Sequence, residues 1–187
     1  MNKPAKSLIC ALLVPSALAL VIAGTIEAQT DLGIARYTAA GELIYPDDLD
    51  LWVMMGASLG SDYNQEAFDP ANPGTIGVVQ MEPNAYRYFR ANGEYADGTM
   101  FLLSFFRSES KSQPQLQGFV QGDRIAQEIH VVDRNRFTEG HGFFLFPAPG
   151  TNAGKLPDGS TCIQCHSAEG RYNATFTQFY PAIRDQR

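Results

Sequence analysis

Apolar residues in this chain come mostly as short runs of β-branched and aromatic type, cut by Gly, Pro, Asn and Asp. Such runs between turn formers predict strands rather than long helices. They place strands over residues 42–45, 51–59, 75–81, 99–107, 118–121, 125–132 and 143–146. Alternation in the sixth sends Glu128, His130 and Val132 to one face and Ile129 and Val131 to the other. One helix is marked at both ends, with Pro83 in a first-turn position and Gly93 at C′. Within it Tyr86, Phe89 and Arg90 share a face. Residues 147–159 read as a surface loop, and 178–184 as a short tail interrupted by Pro181. The sum is an α+β fold, mostly β: an antiparallel sheet with a few short helices on it.

One apolar run differs from the rest. Residues 8–22, broken by Pro15 and Ser16, follow Lys3 and Lys6 and precede the small residues Ala23, Gly24 and Ala28. That is the pattern of a secretory signal peptide, residues 1–28, cut after Ala28. The run is short for a membrane span of about 20 residues and lacks a strong stop-transfer flank, so no stable membrane anchor is expected. The expected location is periplasmic, and the expected domain is 29–187, a normal size for one core. Without Lys3, Lys6 and Glu27 the mature chain has 12 basic and 19 acidic residues, a net charge of −7. No basic stripe is available for nucleic acid.

Cleavage also removes Cys10, leaving Cys162 and Cys165. Two close thiols in an oxidising compartment default to a disulfide, but His166 follows them directly. Cys162-Ile163-Gln164-Cys165-His166 is the attachment pattern of c-type haem. Its thiols form thioethers to the two vinyl groups, and its imidazole lies beneath the iron as proximal metal ligand. The motif needs a helical turn that projects both thiols to one side. Only 21 residues follow His166, none of them methionine, so any group on the opposite face of the haem comes from upstream strands. His130 or His141 as a sixth ligand would make a plain electron carrier working with a redox partner protein. Met54, Met55, Met81 and Met100 sit in apolar runs and read as core, as does Trp52. Phe143, Phe144, Phe146, Phe176, Phe179 and Tyr180 would wall the haem. Glu128 reads either as a proton relay beside the cofactor or as a carboxylate paired with an arginine.

With these residues in place the chain resembles the cytochrome P-460 family and its relative cytochrome c′-beta. The resemblance runs from Gly41-Glu42-Leu43 and Trp52-Val53-Met54-Met55-Gly56, through Pro83 and Tyr86, to Gly93-Glu94-Tyr95-Ala96-Asp97-Gly98-Thr99. It continues through Glu109-Ser110-Lys111 and Glu128 to the haem motif and Phe176-Thr177-Gln178-Phe179-Tyr180-Pro181. It implies a mostly β homodimer with one covalent haem c per chain, five-coordinate iron and a buried distal pocket. P-460-type members oxidise hydroxylamine and tie a lysine to the porphyrin edge, four residues beyond the threonine of the Asp-Gly-Thr strand. Here that position is Leu103, which has no nucleophilic nitrogen, and Lys111 and Lys155 lie elsewhere. The family's polar distal residue aligns with Gly77. With Leu103, Phe101 and Phe105, the distal side is expected to be apolar. That resembles the c′-beta type, which binds nitric oxide and similar small ligands; an apolar site disfavours charged ligands and leaves neutral gases nearly unaffected. Glu128 is the candidate catalytic group should the chain instead oxidise hydroxylamine, or use peroxide.

Overall fold

The computed structural model describes residues 32, 34–60, 69–113 and 116–184. The expected signal peptide, its expected cleavage point and Cys10 lie outside the described residues. Five strands form one antiparallel sheet in sequence order: β1 (Val53–Leu59), β2 (Thr75–Met81), β3 (Thr99–Gln113), β4 (Leu116–Val132) and β5 (His141–Phe146). Every strand pairs with the next, so no crossover connection is needed. Helix α1 (Pro83–Asn92) joins β2 to β3, α2 (Thr161–Glu169) follows β5, and α3 (Pro181–Arg184) follows a single 3₁₀ turn at Thr177–Phe179.

Most expected strands are present, with instructive differences. Residues 42–45 make no strand; Leu43 instead bridges to Tyr37 and Ala153, which ties down the loop expected at 147–159. Residues 49–51 form a 3₁₀ turn before β1. The two runs at 118–121 and 125–132 are one strand, β4, because β3 continues beside it to Gln113. Beyond Arg107, where pairing with β2 ends, β3 and β4 run on as a two-stranded ribbon. Periodicity cannot foresee this, since its polar residues are held by ladder bonds and not by burial.

Direct pairing aligns side chains on common faces. Trp52, Met100, Leu102, Ile129, Val131, Phe144 and Phe146 pack on one face, under Leu43 and the chain N-terminal to β1. On it, Tyr45 donates to Gln127, which donates to Ser104, so the buried amide is satisfied. The opposite face carries Val79, Met81, Phe101 and Val132 beneath Ala85 and Phe89 of α1, Tyr95, and Ile183 of α3. Phe89 is fully buried, which stabilises the helix contact by about 2–3 kcal/mol. Helix α1 begins with the Glu82 carboxylate accepting from the Ala85 N–H at 2.7 Å, and ends at Gly93 with φ 71°. Of the residues expected to share its face, Phe89 is buried and Tyr86 half-buried, while Arg90 is exposed. Met55, Met81 and Met100 are core, but Met54 is 56% exposed.

The Asp-Gly-Thr segment has a structural role. Asp97 is 1% exposed and accepts from the Arg134 backbone and side chain and from Asn135. It locks the start of β3 to the end of β4.

Candidate cofactor site

The second face is covered unevenly. Helix α1, Tyr95, Tyr172 and α3 cover the end that holds Met81, Phe101 and Val132. The other end carries, in register, Ser58 on β1, Gly77 on β2, Phe105 on β3 and Glu128 on β4 beside Leu145 on β5, with Leu103 where this end meets the covered cluster. Helix α2 lies against β5, with His166 on Phe143 and next to His130 of β4.

Within α2 the motif cysteines are three apart and so share a side. Cys162 is half-buried and Cys165 exposed, both free thiols, while Ile163 between them points into the core. Burial pushes the Cys162 thiol up, and the nearby Glu128 carboxylate adds to the shift. Glu128 is itself half-buried and stands across the sheet from Leu103.

His166 is the best-determined group. Its Nδ1 lies 2.7 Å from the carbonyl oxygen of Ala174, so Nδ1–H donates and Nε2 keeps the lone pair. Phe143, Phe176 and His130 surround the ring, with centroids 4.6, 4.5 and 5.3 Å away. Burial lowers its affinity for protons, against the Ala174 bond, which raises it. The neutral imidazole that metal binding requires is therefore favoured.

The Ala174 carbonyl is aimed by a strained turn. Asn173 and Ala174 both have positive φ, 44° and 55°, the pattern of a type I′ turn, closed by Thr175 N–H donating to Tyr172 O at 2.9 Å. Alanine in this region costs about 1–2 kcal/mol. The Thr175 hydroxyl, 3.2 Å from that of Tyr95, holds the turn against the core. Gly170 lets the turn approach: a Cβ there would stand 2.5 Å from His166 O and 2.6 Å from Ala174 C.

The three histidines of the chain form one cluster. His130 stacks on Phe143 at 4.4 Å and meets His141 edge-on at 5.2 Å. Burial, with the other two imidazoles adding to it, holds His130 well below its usual pKa. His141 is buried and 3.4 Å from Ser167. These rings pack against one another instead of converging; among the described residues no three His, Cys, Asp or Glu groups are placed to hold a bare metal ion.

The donor set does fit a porphyrin: one oriented neutral imidazole, two thiols on one helix side, and an apolar sheet surface. Leu145 and Phe179 are 49% and 66% exposed, apolar area of the kind a flat hydrophobic group covers. Phe179 stacks on Phe176, which touches His166. Glu128, Leu103, Gly77 and Phe105 lie together on one face of the sheet, and the Glu128 carboxylate acts electrostatically on Cys162 of the haem motif. Phe101 lies deeper, between Tyr95 and His130. Lys155 pairs with Asp158 and bridges Phe144 through its backbone. Sequence reasoning missed Ser58, Gly170 and Ala174. Only the Tyr172-Asn173-Ala174-Thr175 run gave a hint, as Asn tolerates positive φ.

The family model described as Cytochrome P460 matches residues 46–177, from the approach to β1 through the histidine-binding turn. No curated protein matches the chain.

Proposed function

The chain belongs to the cytochrome P460 family and is a haem-c cytochrome; from that premise we propose that it binds nitric oxide or a similar small neutral ligand at a five-coordinate iron. Haem supplies, when bound, an iron whose reactivity is set by its axial groups and the pocket around it. Two thioethers, from Cys162 and Cys165, would hold it, and His166 would ligate through Nε2. The carrying observation is the side-by-side placement of Gly77, Leu103 and Phe105 at the less covered end of this face of the sheet. These residues offer neither a metal ligand nor a nucleophile, and their apolar surface disfavours a charged ligand; the carboxylate beside them is Glu128, across from Leu103.

The surroundings support a vacant sixth position. His130 and His141 pack together behind His166. Met55 and Met81 are enclosed under α1 and α3, and Met54 and Met100 belong to the other face. An electron carrier with two protein ligands is correspondingly less well supported. A second reading, oxidation of hydroxylamine or use of peroxide, rests on Glu128, whose carboxylate lies near Cys162 and pairs across the sheet with Leu103. With leucine at 103 the lysine cross-link cannot form there.

On the same reading the protein is exported, cut after Ala28, and homodimeric. No helix among the described residues is long and apolar enough to cross a membrane. The ribbon formed by β3 and β4 exposes Phe119 and Val120, and a two-stranded ribbon alone is only marginally stable. Both features suit pairing with a second copy.

Visible and resonance Raman spectra of the reduced protein, with and without nitric oxide, test the function. A five-coordinate ferrous haem that takes up nitric oxide is expected. A six-coordinate iron that ignores the gas would overturn the reading.

A further inference from the structure

The strand β1 does not alternate regularly. Val53 pairs with Met81 and Met54 with Gln80, but the next pair is Gly56 with Val79, so Met55 is an extra residue. Such a bulge exchanges the faces of everything after it. Counted from Val53 without it, Ser58 would point to the face of Trp52 and Leu102. With it, Ser58 pairs with Gly77 and stands on the face of Leu103, Phe105 and Glu128.

Gly77 shows where the hydroxyl lies. A Cβ on Gly77 would sit 2.9 Å from Ser58 Oγ, 3.5 Å from Leu103 Cδ1 and 3.9 Å from Phe105 Cε1. The Ser58 hydroxyl therefore stands against the point where a side chain from position 77 would begin, beside the apolar Leu103 and Phe105. Two residues away, the ring of Tyr180 occupies the space over Gly56, 2.8 Å from where its Cβ would be. Tyr180 thus covers this face of β1 at Gly56, and Ser58, two residues further along the same face, is left exposed.

We propose that Ser58 is the hydrogen-bond donor of the distal pocket, carried to that side by the β1 bulge and admitted by the missing side chain of Gly77. The inference rests on the small-ligand reading above and sharpens it. One hydroxyl among Leu103 and Phe105 donates to a neutral ligand that can accept, and it carries no charge of its own. The pocket then selects ligands by acceptor strength, among molecules already sorted for neutrality. Ser58 is a specificity residue, and no proton need leave it.

The test uses the haem-loaded protein, reduced, with carbon monoxide as vibrational probe and nitric oxide for dissociation rates. In the parent, the C–O stretch should sit low and shift in D₂O. Ser58→Ala should raise it, abolish the isotope shift and speed dissociation about two- to tenfold, the loss of one net hydrogen bond. Ser58→Thr, which keeps the hydroxyl, should stay near the parent. Gly77→Ala should resemble Ser58→Ala, because its methyl displaces the hydroxyl from 2.9 Å. A parent that binds neither gas overturns the small-ligand reading and this one with it. A parent that binds both, with Ser58→Ala unchanged in frequency and rate, overturns the role of Ser58 alone.

Discussion

Replacing Gly170 with alanine adds one carbon where the histidine helix meets the Asn173–Ala174 turn. The backbone there has φ −69° and ψ 121°, which alanine adopts without strain, and the stiffer unfolded chain alone would stabilise by about 0.4–1 kcal/mol. Space decides the other way. The new methyl would lie 2.5 Å from His166 O, 2.6 Å from Ala174 C and 2.8 Å from Ala174 Cα, against about 3.5–4.0 Å for comfortable carbon contacts. All three atoms are backbone, so the turn must retreat by about 1 Å. The 2.7 Å bond from His166 Nδ1 to Ala174 O would then approach 3.7 Å and cease to be one. Leaving a buried donor unmade costs about 1–3 kcal/mol, so net destabilisation of about 1–2 kcal/mol is expected. The proximal imidazole also becomes a weaker donor to iron, because its orienting acceptor is gone. The assay is the Fe–His stretch of the reduced protein by resonance Raman, with thermal unfolding of the same sample. Gly154→Ala, where nothing lies within 4 Å and φ is not positive, is the control. A lowered stretch and Tm in Gly170→Ala alone is expected. An unchanged stretch would refute the view that this turn orients His166.

Other consequences follow from the same geometry. Cys162→Ser with Cys165→Ser should leave haem extractable into acidified organic solvent, and either single change should leave one thioether by mass spectrometry of the haem peptide. In the haem-free chain, burial and then the Glu128 carboxylate raise the Cys162 thiol. Removing the charge in Glu128→Gln lowers it, so more thiolate exists at a given pH. Alkylation of Cys162, measured against Cys165, should therefore speed up and its pH profile move to lower pH. Phe119→Asp, on the exposed ribbon, should convert a dimer to a monomer in size-exclusion chromatography with little change in the optical spectrum; an unaltered elution volume would place the pairing surface elsewhere.

Much of the architecture was readable because burial imposes a period. The alternation at 125–132 put Glu128 and His130 on one face, and both stand there. Pro83 and Gly93 marked α1 because a ring without an N–H and a residue free to take φ 71° suit those two ends. Strand 42–45 failed for the converse reason: a short apolar run satisfies a core whether or not a neighbour supplies a ladder. The ribbon was unreadable because nothing buries it.

By itself the sequence determined the chemistry that local spacing can carry: two thiols and an imidazole on one helical turn. It also set the sheet-forming composition and most strand positions, since these depend on neighbours a few residues apart. Only the tertiary structure decided which carbonyl holds His166, why Gly170 must lack a side chain, and on which face Ser58 emerges. Each depends on contact between segments distant in sequence or on a single extra residue in β1, and one residue reverses every side chain beyond it.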